Sequence, residues 1–326
     1  MDENSLEFIT ALHAVQGASG LCQKVGNELA GKAALLKEDR SPVTIADYAS
    51  QAVICRLIRE KFPDDAIVAE EDSNELRKPI HAKTLERVTA YVREFIPGAT
   101  PEEVCSWIDF SSQTLPDRFW TLDPIDGTKG FLRGEQYAVA LALVEKGEIQ
   151  MGHLACPNLH GFGDSFQEKN GRLFFALRGK GAFQMDMLGG GKQPLSVSTA
   201  ADPSEAVFTE SVESDHADHL IHRRLAKALN ITKPPLGADS QAKYGIVARG
   251  EAALYLRVPS PSEPGYREKI WDHAAGSIIA EEAGGRVTDV RGRPLDFSHG
   301  IRMENNYGIL VTNGLLHDIV LRALGT

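Results

Sequence analysis

Long apolar runs are missing from this sequence. The longest clearly apolar stretch, residues 137–144, has eight residues, against the ~20 that a helix needs to cross a bilayer, so no membrane span is expected. Cysteine is scarce: Cys22, Cys55, Cys105 and Cys156 are scattered through 326 residues with no CxxC spacing. That spacing indicates neither a zinc site nor a disulfide framework, and the expectation is reduced thiols in an intracellular protein. Positive charge is in deficit, with 35 Lys+Arg against 45 Asp+Glu and a formal charge of −10. Nucleic-acid scaffolds usually turn a net basic surface to phosphates, so no nucleic-acid partner is expected. The opening Met1-Asp2-Glu3-Asn4-Ser5 is acidic, unlike a basic, apolar secretory leader or an Arg-rich transit peptide. A cytoplasmic location is therefore expected, with an organelle presequence lying outside this sequence as the alternative.

What is there is ordinary globular composition, 42% hydrophobic and 25% charged, in a chain long enough for one large or two ordinary domains. Apolar residues at helical spacing (Leu6, Ile9, Leu12, Val15, later Leu29 and Leu35) predict a helix over 6–36. Tyr48, Ala52, Cys55 and Ile58 predict a second over 47–62, with an extended Ser41-Pro42-Val43-Thr44 between the two. The Pro63-Asp64-Asp65 turn then leads into a short strand, Ala66-Ile67-Val68-Ala69, that ends in Glu70-Glu71-Asp72. After a helix over 81–95, the chain up to Arg118 reads as a Pro-rich and Ser-rich connection. A strand over 119–122 runs into Asp123-Pro124-Ile125-Asp126-Gly127-Thr128, and Lys146-Gly147 between runs 137–144 and 148–155 marks a β-hairpin. Further strands are expected at 172–177, 182–185 and 195–198. The Gly189-Gly190-Gly191 run and Ala200-Ala201-Asp202-Pro203 mark the best break in composition, giving an α+β domain over 1–202 and an α/β domain over 203–326. In the latter, strands at 206–210, 252–258 and 308–312 alternate with helices at 215–229, 240–249, 272–283 and 315–324.

Three patterns invite a chemical reading, each with a plainer one beside it. Gly26-Asn27-Glu28-Leu29-Ala30-Gly31-Lys32-Ala33 matches the Gly-x4-Gly-Lys part of a phosphate-binding loop, yet Ala33 stands where a Ser or Thr must hold magnesium. It also lies inside a helical pattern and is read as helix. His216, His219 and His222 recur every three residues, a spacing that drifts around a helix by about 60° per step. His219 and His222 read as a partly solvated face, while His216, near the helix start, stays open as a ligand-binding side chain. The strongest pattern is acidic. Asp123-Pro124-Ile125-Asp126-Gly127-Thr128 sets two carboxylates three positions apart on one tight loop, with Pro124 fixing the backbone and Gly127 permitting an unusual turn. Oxygen ligands of this kind suit hard Mg²⁺, which keeps positions for water and phosphate; a solvated Asp-rich turn is the plain alternative. Glu70 and Glu71 add acids at a strand end, and Asp272 is either a helix N-cap or a further ligand. Acids drawn from several elements are what two metals about 3.5–4 Å apart require.

Together these residues resemble the lithium-sensitive, Mg²⁺-dependent phosphatases related to inositol monophosphatase. The acidic strand end Glu70-Glu71, the Asp123-to-Thr128 loop and Trp271-Asp272 before a helix stand in that family's order. Within the family, the run from Trp120-Thr121-Leu122-Asp123 through Gly134-Glu135-Gln136 looks like the 3'(2'),5'-bisphosphate nucleotidases of plants and fungi. So do Asp239-Ser240-Gln241-Ala242-Lys243-Tyr244 and Lys269-Ile270-Trp271-Asp272-His273-Ala274-Ala275-Gly276. The resemblance covers residues 41–312 and is weakest over 78–118 and 260–266.

It implies a layered αβαβα sugar-phosphatase fold and a role for each matched residue. Glu70, Asp123, Asp126, Asp272 and the Ile125 carbonyl would hold two or three Mg²⁺. Thr128, hydrogen-bonded to Asp47, would orient and deprotonate the attacking water, although Asp47 at the start of the second helix also reads as an N-cap acid. The N–H groups of Gly127, Thr128 and Lys129 would cradle the departing phosphate, with no covalent phosphoenzyme required. Ser240, Lys243 and Arg257 would hold the phosphate that is not cleaved, against a plain reading of the two cations as solvated surface charge. His216 would meet the ribose or base, and Asp272 would face substrate as well as metal. The implied reaction is hydrolysis of adenosine 3',5'-bisphosphate to AMP and phosphate by a monomer, with 3'-phosphoadenylyl sulfate and inositol 1,4-bisphosphate as second substrates and Li⁺ as inhibitor. An inositol polyphosphate 1-phosphatase and a non-catalytic nucleotide sensor are the rival readings. The net acidity is no obstacle to a polyanionic substrate, because Asp47, Glu70, Asp123, Asp126 and Asp272 fall to one cleft whose charge Mg²⁺ would offset.

Overall fold

The structure is a computed structural model that describes residues 1–30, 41–112, 115–159, 171–212, 218–259 and 265–325. The chain opens with helix α1 (Leu6–Ala30) and helix α2 (Ser41–Lys61). The expected extension of α1 to residue 36, and residues 31–33 of the Gly-x4-Gly-Lys pattern, lie outside the described residues; residues 26–30 are helix. Ser41-Pro42-Val43-Thr44 is not extended but forms the first turn of α2. A proline there has no helical N–H bond to lose, and its fixed φ suits the start of a helix. Asp47 consequently lies within the second turn, not at a cap.

Strand β1 (Ala66–Ala69) matches its reading, and helix α3 (Ala82–Phe95) follows. The supposed connection up to Arg118 contains helix α4 (Pro101–Ile108). It is started by a capping box: Thr100 Oγ1 accepts the Glu103 N–H at 3.2 Å, and Glu103 Oε2 accepts the Thr100 N–H at 2.9 Å. Val104, Cys105, Trp107 and Ile108 are buried beneath it.

Then come β2 (Arg118–Asp126), α5 (Thr128–Arg133), β3 (Ala138–Glu145), β4 (Glu148–Cys156), β5 (Arg172–Leu177), β6 (Gly181–Asp186) and β7 (Gln193–Pro194). They form a sheet in the order β1-β2-β3-β4-β5-β6-β7, with β1 parallel to β2 and the other pairs antiparallel. The strand expected at 195–198 is instead a bridge between the two halves of the molecule. The Leu195 N–H bonds the Ala182 carbonyl at 2.9 Å, whereas the Val197 N–H bonds the Ala283 carbonyl at 3.1 Å.

The remaining elements are β8 (Phe208–Glu210), α6 (Asp218–Ala228), β9 (Leu236–Gly237), α7 (Ala242–Ala248), β10 (Leu254–Arg257), α8 (Ala274–Glu282), β11 (Arg286–Thr288), β12 (Ile309–Thr312) and α9 (His317–Leu324). Their strands run in the order β11-β12-β10-β8-β9. Helices α1 and α2 cover one face of the first sheet and α8 the other; α7 packs against α8 and the second sheet, and α6 lies between β10 and α9. This is the layered αβαβα arrangement that the resemblance implies. One core is shared across it, with Phe119, Ala140 and Phe174 of the first sheet packed with Tyr244, Trp271 and Ile278. All four cysteines are buried and unpaired, and no described helix is long and apolar enough to cross a membrane.

Candidate active site

Strand β2 is buried along all but its two ends, so its acidic end is delivered from the middle of the molecule. The register slips between Asp123, opposite Ala140, and Asp126, opposite Ala138. Pro124 has no N–H for the ladder, and the resulting bulge re-aims the two carboxylates. Asp123 Oδ1 accepts the Ile125 N–H at 3.1 Å, and the Pro124 carbonyl accepts the Ser50 hydroxyl of α2 at 3.0 Å. Gly127 turns the chain into α5 at φ 86°, a left-handed conformation in which a side chain is strained. A Cβ there would also stand 2.9 Å from Ser240 Cβ. Ser240 is itself left-handed, at φ 66°.

That close approach docks the 240 segment onto the acidic loop. Asp126 Oδ2 accepts the Gln241 N–H at 2.6 Å, while Gln241 Nε2 donates to the Trp271 carbonyl at 2.9 Å and its Oε1 accepts the Gly276 N–H at 3.1 Å. One glutamine, quoted in the sequence only as part of a motif, thus ties together three segments of the site. A second does the same at the β1 end: Gln51 Nε2 donates to the Glu71 carbonyl at 2.7 Å and Oε1 accepts the Glu71 N–H at 3.0 Å.

Asp272 closes a short 3₁₀ turn (Ile270–Asp272), and the N-cap position of α8 belongs to His273, which makes no side-chain cap bond. Capping therefore explains neither Asp272 nor Asp47. Electrostatics set the acids apart from ordinary surface carboxylates. Burial, followed by Glu70, Asp126, Asp272 and Asp47, pushes Asp123 well above the usual range. Burial and Asp126 raise Asp272, with Glu268 and Glu70 adding to the effect against Arg257. Burial and then Asp126 raise Glu70. Burial also raises Asp126, against Lys243, the Gln241 N–H and Arg257. Asp47 is pushed well up by burial, Glu71 and Glu70, and Glu71 itself reaches about 7. Crowded, mutually repelling carboxylates are what a hard divalent cation neutralises, and the donor set of Glu70, Asp123, Asp126 and Asp272, running from buried Asp123 to exposed Glu70, is all oxygen.

A tighter grouping lies next to it. Glu268, Asp272 and His273 offer ligand atoms within 4.8 Å of one another, a set that could hold a metal ion. Glu268 and His273 already bond each other, with Nε2 to Oε2 at 3.1 Å, and Glu268 Oε1 also accepts Arg257 Nε–H at 3.0 Å. Burial would raise Glu268, but Arg257 and His273 outweigh it and hold the carboxyl at about 2. Asp272 is thus the member of this trio that also faces the other acids. Sequence reading missed Glu268 and His273, although His273 sits in the motif around Trp271 and Glu268 immediately precedes it.

Asp126, Gly127, Thr128, Ser240, Lys243, Arg257 and Asp272 line one cavity of about 350 Å³. Glu70 and Asp272 open on a neighbouring cavity of about 480 Å³ with Lys269 and Trp271. A further cleft of about 520 Å³ lies elsewhere, between α6 and α9, and is lined by apolar side chains and two arginines without an acid. Lys243 is not solvated surface charge: it is 5% exposed, donates to the Ala238 carbonyl at 3.2 Å and sits over the Tyr255 ring. Thr128 Oγ1 donates to the Ile125 carbonyl, one turn back, at 3.4 Å; the expected bond to Asp47 is not formed among the described residues. His216 and the side chain of His219 lie outside the described residues. His222 corrects its reading as solvated: it is 4% exposed, with Nδ1 at 2.8 Å from Glu210 Oε2 and Nε2 donating to the Leu256 carbonyl at 2.9 Å.

Residues 3–324 match the inositol monophosphatase family. A rice (Oryza sativa) protein named 3'(2'),5'-bisphosphate nucleotidase is 44% identical over 98% of this chain and 93% of its own length. A Schizosaccharomyces pombe protein of the same name is 41% identical over 96% and 93%. Among solved structures, the extragenic suppressor protein suhB of Bartonella henselae superposes with a TM-score of 0.65 at 20% identity, over 99% of this chain and 100% of that one, a likeness of fold. The site and fold together are those of a layered α/β protein with clustered acids lining a cavity that also holds Lys243 and Arg257, and the chain belongs to the inositol monophosphatase family.

Proposed function

We propose that this protein is a Mg²⁺-dependent 3'(2'),5'-bisphosphate nucleotidase, which hydrolyses 3'-phosphoadenosine 5'-phosphate to AMP and phosphate. The observation that carries this reading is the meeting of acids and cations in one cavity, where Asp126 and Asp272 face Lys243 and Arg257. A substrate with one phosphate to cleave and another to hold needs both. The names of the rice and fission-yeast relatives support the same substrate class.

Glu70, Asp123, Asp126, Asp272 and the Ile125 carbonyl would hold the metal, with Mg²⁺ the hard cation that all-oxygen ligands suit. When bound, Mg²⁺ lowers the pKa of a water and offsets the charge of the phosphate under attack. The protein's own contribution is positioning. Asp47 and Thr128 orient the water and accept its proton. The N–H groups of Gly127, Thr128 and Lys129 receive the departing phosphate, which leaves directly without a phosphoenzyme. Ser240, Lys243 and Arg257 hold the second phosphate, the arginine through paired N–H groups. His216 meets the ribose or base. The halves 1–202 and 203–326 divide this work, with the first supplying most metal ligands and the second the nucleotide contacts and Asp272. The protein acts as a cytoplasmic monomer, with 3'-phosphoadenylyl sulfate and inositol 1,4-bisphosphate as second substrates.

Phosphate release from 3'-phosphoadenosine 5'-phosphate, followed with and without Mg²⁺ in the wild type and in Asp47→Asn, tests this reading. The expected result is turnover that needs Mg²⁺, falls with Li⁺ and is lost in the variant. Full activity in the variant, or turnover indifferent to Mg²⁺, would refute it.

A further inference from the structure

Arg257 ends strand β10 and lines the cavity that holds Asp126 and Asp272. An arginine side chain has several rotatable bonds and would be poorly ordered in a wet cleft unless something holds it. Here a buried chain of partners does so. Glu268, 3% exposed, accepts Arg257 Nε–H on Oε1 at 3.0 Å and faces His273 Nε2 on Oε2 at 3.1 Å. His273, 1% exposed, turns Nδ1 to the buried Tyr244 hydroxyl at 2.8 Å.

The chemistry of the chain fixes its direction. A carboxylate without a proton only accepts, so Nε2 of His273 carries the hydrogen; Nδ1 of the neutral ring then accepts from the Tyr244 hydroxyl. Both oxygens of Glu268 are thereby occupied from inside the protein. Tyr244 is anchored in turn: it is fully buried in α7, and a Cβ on Gly276 of α8 would stand 2.4 Å from its ring. The relay runs from the shared core to the cavity wall without a solvent-exposed link. Arg257 spends Nε on Glu268 and reaches the Tyr266 hydroxyl with Nη2 at 3.4 Å. A planar guanidinium gripped at Nε keeps its Nη edge for a pair of oxygens on an anion such as phosphate.

We propose that Glu268, braced by His273 and Tyr244, is a positioning residue that aims Arg257 at the phosphate that is not cleaved, and so sets the preference for bisphosphorylated over monophosphorylated substrates. This rests on the nucleotidase reading of the same site. Glu268 acts through Arg257, not on the reacting atoms, so its loss weakens substrate binding without slowing the chemical step to match.

The test is a comparison of kcat and KM for adenosine 3',5'-bisphosphate and adenosine 3'-monophosphate in the full-length, Mg²⁺-loaded enzyme. It uses the wild type, Glu268→Gln, Glu268→Asp, Arg257→Ala and the Glu268→Gln/Arg257→Ala double variant, each checked for fold by circular dichroism. Glu268→Gln keeps the side-chain volume and makes a folding failure less of a concern than Glu268→Ala would. The expected result is a preference for the bisphosphate that drops at least tenfold in Glu268→Gln, carried by KM, with partial recovery in Glu268→Asp. The double variant should be no worse than Arg257→Ala alone, because the two side chains act as one unit. A wild type that prefers the bisphosphate while Glu268→Gln loses activity equally on both substrates, or a double variant whose losses multiply, overturns the positioning role alone. A wild type indifferent to the second phosphate overturns the nucleotidase reading and this inference with it.

Discussion

Asp126 meets two demands at once. Its Oδ2 is held by the Gln241 N–H at 2.6 Å, and its charge bears on Asp272 and Glu70. Replacing it with Asn keeps the shape and an acceptor for that N–H while removing the charge. Asp126→Asn is therefore expected to fold, by circular dichroism, and to lose about 100-fold or more in kcat/KM; near-normal turnover would remove it from the metal site. A different residue contributes to acid lability. His153 is fully buried in β4 between Phe8 and Phe175, and neither ring nitrogen has a partner among the described residues. Burial lowers it from 6.5 to about 3. A depressed histidine contributes stability that is present above its unfolded value and lost as pH falls below it, at up to about 1.4 kcal/mol per pH unit. His153→Leu should accordingly lose less stability between pH 6.5 and pH 4 than the wild type, measured by urea unfolding. Residues were legible in the sequence in proportion to how local their reasons are. The Asp123-to-Thr128 loop carries its own logic in six neighbouring positions, but Glu268 and His273 make sense only once Arg257 and Tyr244 are beside them. His222 was misread because helical spacing alone cannot show Glu210 and the Leu256 carbonyl waiting on the other side.

At the scale of elements, the same contrast holds. The hairpin of β3 and β4, the short β1 and the helices of the second half follow from apolar period and turn residues. Helix α4 was passed over although Thr100-Pro101-Glu102-Glu103 is a capping box, because the Pro and Ser content around it suggested a connection. The early start of α2 differs for a related reason: Ser41-Pro42-Val43-Thr44 reads as extended chain, whereas Pro42 serves as a first-turn residue. Neither the bulge in β2, seen only against Ala138 and Ala140 of β3, nor the docking of Ser240 on Gly127, 113 positions away, has a sequence period, since each depends on two segments meeting in the fold. Gly127→Ala tests that meeting. Strain at positive φ and the encounter with Ser240 should cost about 1–2 kcal/mol in stability and at least tenfold in kcat, the latter by displacing Asp126 and Thr128. Calorimetry and turnover would check the two effects separately, and an alanine variant with normal kcat would show that the loop tolerates the shift.

For the whole molecule, the two sheets share one apolar core through Phe174, Tyr244, Trp271 and Ile278. The halves should therefore unfold together, in one calorimetric transition with equal calorimetric and van't Hoff enthalpies, and residues 1–202 alone should expose the face that α8 covers. Two separated transitions would mean independent domains. On the proposed reading, the acids would couple this unit to metal. Glu70, Asp123, Asp126 and Asp272 are raised above their ordinary values, so in the metal-free protein they retain protons that the unfolded chain would release. Stability from this source is present at low pH and is lost as pH rises through the raised values. A cation competes with those protons, so the gain in Tm on adding Mg²⁺ should grow from about pH 5 to about pH 8. A gain independent of pH would separate the metal from these carboxylates.

The central claim is that one cavity joins metal-binding acids to cations for a second phosphate. Its most direct test is the rate of phosphate release from adenosine 3',5'-bisphosphate, inositol 1,4-bisphosphate and adenosine 3'-monophosphate under identical Mg²⁺ concentrations. The prediction is the highest kcat/KM for the bisphosphate nucleotide, abolished by chelation. Equal or greater activity on the monophosphate, or none on the bisphosphate nucleotide, would contradict it.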